Sequence, residues 1–128
     1  MPRGLPIGTV TFLFTDIADS TRLWDEAPLD MAEALRVHDA IVRGAIEGHG
    51  GYVFAIDGDS FCAAFSTVDD AAAAAIEAQE QVRDDTTVNF TVRMALHTGA
   101  ANELPYRCPR GRLLRGAAQQ RQRDLRRH

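Results

Sequence analysis

Two carboxylates stand where the chain could bring them together. Asp16 follows the apolar run Val10-Thr11-Phe12-Leu13-Phe14, and Asp59 lies in the linker Asp57-Gly58-Asp59 between two further apolar runs. If the first run and the flanks of that linker form neighbouring strands, both side chains converge at one end of a sheet. Such a pair suits a hard divalent cation like Mg²⁺, which takes oxygen ligands and keeps water or phosphate oxygens in the rest of its shell. Two such ions about 4 Å apart can activate an attacking hydroxyl and neutralise a leaving group. The segment Ile17-Ala18-Asp19-Ser20-Thr21 adds backbone N–H groups at a helix start, where phosphate binds readily. Each feature also has a plain reading: an Asp after a strand closes a turn, and Asp-Gly-Asp closes a hairpin.

The elements that must position these groups can be read from periodicity. Thr9 to Thr15 alternates with both faces largely apolar, as a central strand does. A polar turn, Asp16 to Thr21, leads to a short helix near Thr21. From Pro28 to Gly48 the period becomes helical, with Met31, Leu35, His38, Val42 and Ile46 on one stripe, and Gly48-His49-Gly50-Gly51 ends it. Tyr52–Ile56 and Ser60–Phe65 read as a hairpin closed by Asp57-Gly58-Asp59. Thr67 with Asp70 starts an Ala-rich helix that ends near Arg83. Val88 to His97 alternates as a fourth strand. The order β-α-β-β-α-β predicts an α+β, ferredoxin-like sandwich.

Composition narrows the class. At 128 residues, with 45% hydrophobic and 25% charged residues, the chain fits one soluble globular domain. No apolar run approaches the roughly 20 residues of a membrane span, and Met1 to Pro6 lacks the apolar stretch of a signal peptide, so a cytoplasmic protein is expected. Cys62 and Cys108 sit in no metal-binding or redox spacing, and Cys62 reads as a small buried hydrophobe. His38 reads as a satisfied core histidine. His49 and His97 receive no role.

Charge divides the chain. Residues 1–106 carry six arginines and 17 acids, whereas residues 107–128 carry eight arginines and one acid, and there is no lysine. The predicted division is a leader (1–8), a domain (9–103) and an Arg-rich tail (104–128). With Tyr106 alone at its edge to stack on bases, and with an acidic domain before it, the tail argues against nucleic-acid binding.

Three segments together resemble the catalytic domain of class III adenylate/guanylate cyclases. They are Thr11-Phe12-Leu13-Phe14-Thr15-Asp16-Ile17-Ala18-Asp19-Ser20-Thr21, then Gly50-Gly51-Tyr52-Val53-Phe54 with Gly58-Asp59-Ser60-Phe61-Cys62-Ala63-Ala64-Phe65, and Val92-Arg93-Met94-Ala95-Leu96-His97-Thr98-Gly99. The resemblance covers Gly8 to about Ala101. It implies that Asp16 and Asp59, with the carbonyl of Ile17, bind two Mg²⁺ or Mn²⁺ ions. It also implies that Ile17, Ala18, Asp19, Ser20, Thr21 and Arg93 contact the phosphates of ATP or GTP. The implied reaction is attack of the ribose 3′-hydroxyl on the α-phosphorus, giving a 3′,5′-cyclic nucleotide and pyrophosphate. The implied site forms between two subunits, in a homodimer or a heterodimer with another cyclase domain.

The chain departs from that pattern in ways that bear on activity. Ala55 stands where the family usually has a base-reading Lys, and Asp57 replaces an apolar residue. An Asp-Tyr-Phe-Gly turn and a helix bearing Asn and Arg are expected next, but Pro105 to Gly116 matches neither, so no catalytic residue is assigned. Arg112-Leu113-Leu114-Arg115-Gly116 can be encoded by CGA CTA CTT CGG G, which one base later reads Asp-Tyr-Phe-Gly. A frameshift after about Glu103 is therefore expected, giving a truncated domain with weak or no turnover alone. The alternative expectation is a catalytically dead, nucleotide-binding or regulatory heterodimer partner.

Overall fold

The alternating run from Thr9 to Thr15 forms a strand buried on both faces, which requires a place inside the sheet. The structure, a computed structural model, describes residues 8–100 and shows it there. Strand β1 (Thr9–Ile17) is followed by helices α1 (Ser20–Glu26) and α2 (Pro28–Gly48), then the hairpin β2 (Tyr52–Asp57) and β3 (Ser60–Phe65). Helix α3 (Val68–Asp84) and strand β4 (Val92–Ala100) complete the described chain. The sheet order is β2-β3-β1-β4, with every neighbouring pair antiparallel. This is the split arrangement that the element order predicts.

One face of the sheet carries the helices. Leu13, Phe61, Ala63 and Phe65 pack there against Val42, Ala45 and Ile46 of α2 and Ala71, Ala74 and Ala78 of α3. Alanine at these α3 positions lets the helix lie close to the sheet, while Phe61 and Phe65 are almost wholly buried. Full burial of such a side chain contributes about 1.5–3 kcal/mol. Val10, Phe12, Phe14, Cys62 and Ala64 form a second cluster on the opposite face, so Cys62 is buried as expected.

Local chemistry sets the element ends. Pro28 opens α2 with its fixed φ, and Asp30 stands in the first turn, where a negative charge is favourable. At the other end the N–H of Gly51 donates to the Ile46 carbonyl (2.8 Å) and that of Gly50 to the Glu47 carbonyl (3.1 Å), with Gly50 at φ 79°. Gly51 has a second constraint: a β-carbon built on it would lie 2.6 Å from the Phe65 ring and 2.7 Å from Ile46 Cγ2. The Thr67 hydroxyl caps α3 by accepting from the Asp70 N–H at 3.1 Å.

Three boundaries differ from the sequence reading, the shortest change being at β2, which takes in Asp57 and leaves only Gly58-Asp59 as the turn. Asp16 and Ile17 belong to β1 and pair with Arg93 and Val92, so Asp16 is a strand residue and not the start of a turn. Strand β4 begins at Val92 instead of Val88 and runs to Ala100. The Ile17–Val92 pair explains the later start: β1 turns away into α1, leaving residues 88–91 no β1 partner. Val88 instead joins a small cluster with Val82 and Val92, against which Phe90 packs.

The described residues contain no helix long and apolar enough to cross a membrane. All of the predicted leader (1–8) except Gly8, and the Arg-rich tail with its altered motif, lie outside the described residues.

Candidate functional site

The geometry of the two aspartates follows from the pairing of β1 with β3. Thr15 is the Cα partner of Phe61, and its hydroxyl accepts the Phe61 N–H at 3.1 Å. Asp16 is the next residue along β1, and Asp59 stands two residues before Phe61. In an antiparallel pair both therefore lie at the same end of adjacent strands. Gly58, at φ 61°, turns the hairpin tip that carries Asp59. The left-handed backbone there favours glycine because it has no Cβ to clash.

Asp16 shares its face of β1 with Phe14 and Phe12, the face away from the helices. Its side chain is 15% exposed, and Arg93, its cross-strand partner, approaches with Nε 3.2 Å from Oδ1. The side chain of Arg93 is 42% exposed. On the other flank, Ser60 is buried and its hydroxyl donates to Asp59 Oδ1 at 3.5 Å. Asp57 pairs across the hairpin with Ser60. The end of the sheet thus gathers Asp57, Asp59 and Ser60 from the hairpin with Asp16 and Arg93.

This donor set fits a small hard cation. Among the described residues no group of three or more His, Cys, Asp or Glu side chains is placed to enclose a metal. Two carboxylates with a neighbouring backbone carbonyl suit Mg²⁺, which keeps several water or substrate oxygens and seldom uses an all-protein cage.

The turn after Asp16 is more restricted than the sequence suggests. Ala18 donates its N–H to the Thr91 carbonyl at 2.9 Å, so that amide already has an acceptor. Asp19 adopts φ 58°, ψ 30° at the N-cap of α1, without a side-chain cap bond. That left-handed conformation is uncommon outside glycine, though Asp tolerates it better than most residues. Asp19, Ser20 and Thr21 follow at the start of α1, where the first amides have no intrahelical acceptor.

Other sequence candidates lie elsewhere. His38 is fully buried, edge-on to Phe61 and Phe90, and its Nδ1 lies 2.8 Å from Asp39 Oδ1. Its Nε2 has no hydrogen-bond partner among the described residues, so the expected satisfied histidine is only half satisfied. His49 lies 3.5 Å from Glu77 on the helix side, and His97 stands exposed on β4. Sequence reasoning passes over Thr15, whose signal is a hydroxyl at an inward position of an apolar strand.

Comparison with known proteins identifies the family and the fold. Residues 5–102 match the family model described as the adenylate and guanylate cyclase catalytic domain. An uncharacterised protein of Mycobacterium tuberculosis (strain ATCC 25618 / H37Rv) is 44% identical over 96 residues, covering 73% of this chain and 32% of that protein. The adenylate cyclase of Schizosaccharomyces pombe is 34% identical over 105 residues, covering 80% of this chain and 6% of that enzyme. A monomeric adenylate cyclase structure from Trypanosoma brucei superposes with a TM-score of 0.70 at 24% identity, covering 73% of this chain and 56% of that one. The guanylate cyclase domain of a Catenaria anguillulae protein, solved with GTP, gives a TM-score of 0.63 at 20% identity, covering 72% and 57%. The chain therefore spans a third or less of these curated relatives and little more than half of these solved domains.

Proposed function

The chain belongs to the adenylate and guanylate cyclase catalytic-domain family, and from that premise we propose that it supplies the metal-binding half of a nucleotidyl cyclase site. In this reading Asp16, Ile17 and Asp59 hold two divalent cations, Mg²⁺ or Mn²⁺, with the triphosphate of ATP or GTP. When bound, the cations would lower the cost of ionising the ribose 3′-hydroxyl and neutralise the departing pyrophosphate. The chain's own part is to present two carboxylates at fixed separation and to offer the amides of Asp19, Ser20 and Thr21 to phosphate. The observation that supports this most is the common end shared by Asp16 and Asp59, set by the Thr15–Phe61 pair.

The other half of the site must come from a second subunit. Ala55 cannot donate a hydrogen bond to a purine, and preorganised charge stabilisation is usually the largest catalytic contribution. Alone, the chain should therefore turn over ATP or GTP weakly or not at all. Ala55 also favours a second reading, in which the chain is a nucleotide-binding or regulatory partner in a heterodimer.

A cyclase assay with Mn²⁺ and ATP or GTP tests both readings, using the chain alone and mixed with a complete cyclase domain. Product formed only in the mixture, and lost with Asp16→Ala and Asp59→Ala, supports the half-site. Product that is insensitive to both substitutions contradicts it.

A further inference from the structure

We infer that the Arg-rich tail, residues 104–128, covers the sheet face opposite the helices and is pinned there by a disulfide between Cys62 and Cys108. This goes beyond the metal-site reading and does not depend on it. Helices α2 and α3 pack on the face that carries Leu13, Phe61 and Phe65. The opposite cluster of Val10, Phe12, Phe14, Cys62 and Ala64 draws only on sheet residues, with Phe54 and Ala55 of β2 against it. A sheet face needs a second layer to bury its apolar side chains, yet these residues are no more than 2% exposed. Cys62 identifies the layer: it is disulfide-bonded, and the chain has one other cysteine, Cys108.

Chain length permits the closure. Strand β4 ends at Ala100, the partner of Thr9, while Cys62 is the partner of Phe14 on β3, beyond β1. The rise from Thr9 to Phe14 and the spacing of β4, β1 and β3 put Ala100 and Cys62 about 20 Å apart. Residues 101–108, extended, span up to about 26 Å. Charge also matches. Asp16 shares this face with Phe14, Asp57 opposes Ser60, and residues 107–128 carry eight arginines against one acid. Forming the bond is a two-electron oxidation, for which a small-molecule disulfide such as oxidised glutathione is the oxidant. The Cys108 thiolate attacks it and releases one thiol. The Cys62 thiolate then attacks the Cys108 sulfur of the mixed disulfide and releases the second, each cysteine's proton passing to a departing thiolate. In a reducing compartment the pair stays as two thiols and the cover is unpinned.

The test incubates the full chain with oxidised glutathione, denatures and alkylates it without reduction, and maps the peptides by mass spectrometry. The expected map links Cys62 to Cys108 within one chain, with neither cysteine alkylated until reductant is added. Thermal melts of the folded protein test the cover itself. A disulfide closing the long loop from Cys62 to Cys108 should raise Tm by about 10 °C over the reduced chain. Cys108→Ser should melt like the reduced wild type, with or without reductant. Cysteines that are alkylated or capped by glutathione without a link overturn the inference, as does a wild-type Tm that reductant leaves unchanged. A link between two chains, seen as a covalent dimer on a non-reducing gel, overturns it in favour of a second copy on this face. The metal-site reading rests on Mn²⁺ binding and stands through any of these failures.

Discussion

The hydroxyl of Thr15 accepts the backbone N–H of Phe61 at 3.1 Å, tying β1 to β3 immediately inside the two aspartates. Thr15 is 1% exposed, so water cannot readily replace the bond. Thr15→Val keeps the shape but removes the acceptor, leaving a buried N–H without this partner. Such a loss costs about 1–3 kcal/mol, and urea unfolding should show it as a lower midpoint. A midpoint equal to that of wild type would show that the hydroxyl does not secure this end of the sheet.

Gly51 and Gly44 should respond oppositely to alanine. A β-carbon on Gly51 meets the Phe65 ring at 2.6 Å, whereas Gly44, inside α2, has nothing within 4 Å. Gly51→Ala is expected to destabilise by about 1–3 kcal/mol through overpacking. Gly44→Ala is expected to stabilise by about 0.5–1 kcal/mol because it limits the unfolded chain and favours the helix. Paired thermal melts check both signs. Equal responses would show that space at the turn into β2 is not the constraint.

The half-satisfied histidine gives a third expectation. With Nε2 of His38 buried and lacking a partner, a leucine of similar volume loses little by replacing it. His38→Leu should lie within about 1 kcal/mol of wild type, since volume-conserving apolar exchanges are usually tolerated. His38→Ala, which opens a cavity, should cost about 2–4 kcal/mol. A large loss in the leucine variant would mean that the contact with Asp39 Oδ1 at 2.8 Å contributes more than this balance allows.

Metal should matter to stability only when it is bound. The described core consists of apolar clusters that include none of Asp16, Asp57 or Asp59. Added chelator should therefore leave the melting temperature of the metal-free chain unchanged. Mn²⁺ at 100 times its dissociation constant should add about 2.7 kcal/mol by mass action, visible as a rise in Tm. A chain that unfolds on chelation would point to a structural metal instead.

The elements with strong local signals were legible in the sequence. The Gly50-Gly51 stop, the hairpin after Ile56 and the Thr67 cap each act through neighbours close in the chain; the stop and the cap fall where the sequence places them, and the hairpin turn narrows to Gly58-Asp59 because Asp57 joins β2. Strand ends were less legible because they depend on a partner far away in sequence. Val88 and Phe90 alternate like strand residues, yet the Ile17–Val92 pair ends the β1–β4 ladder before reaching them. The Asp16–Arg93 contact is hidden for the same reason, since only the register of β1 against β4 reveals it. The aspartates themselves could be found from the sequence because each adjoins a local feature, an apolar strand or a glycine turn. The engagement of the Ala18 amide with Thr91 required the fold.

The most direct test of the shared-end geometry is calorimetric titration of Mn²⁺, with a non-hydrolysable ATP or GTP analogue present, into wild type, Asp16→Ala and Asp59→Ala. If Asp16 and Asp59 hold the cations together, wild type binds and each single substitution weakens binding at least tenfold without lowering Tm. Binding that survives either substitution unchanged, or that is absent from the folded wild-type chain, would contradict the claim that this end of the sheet is a metal–nucleotide site.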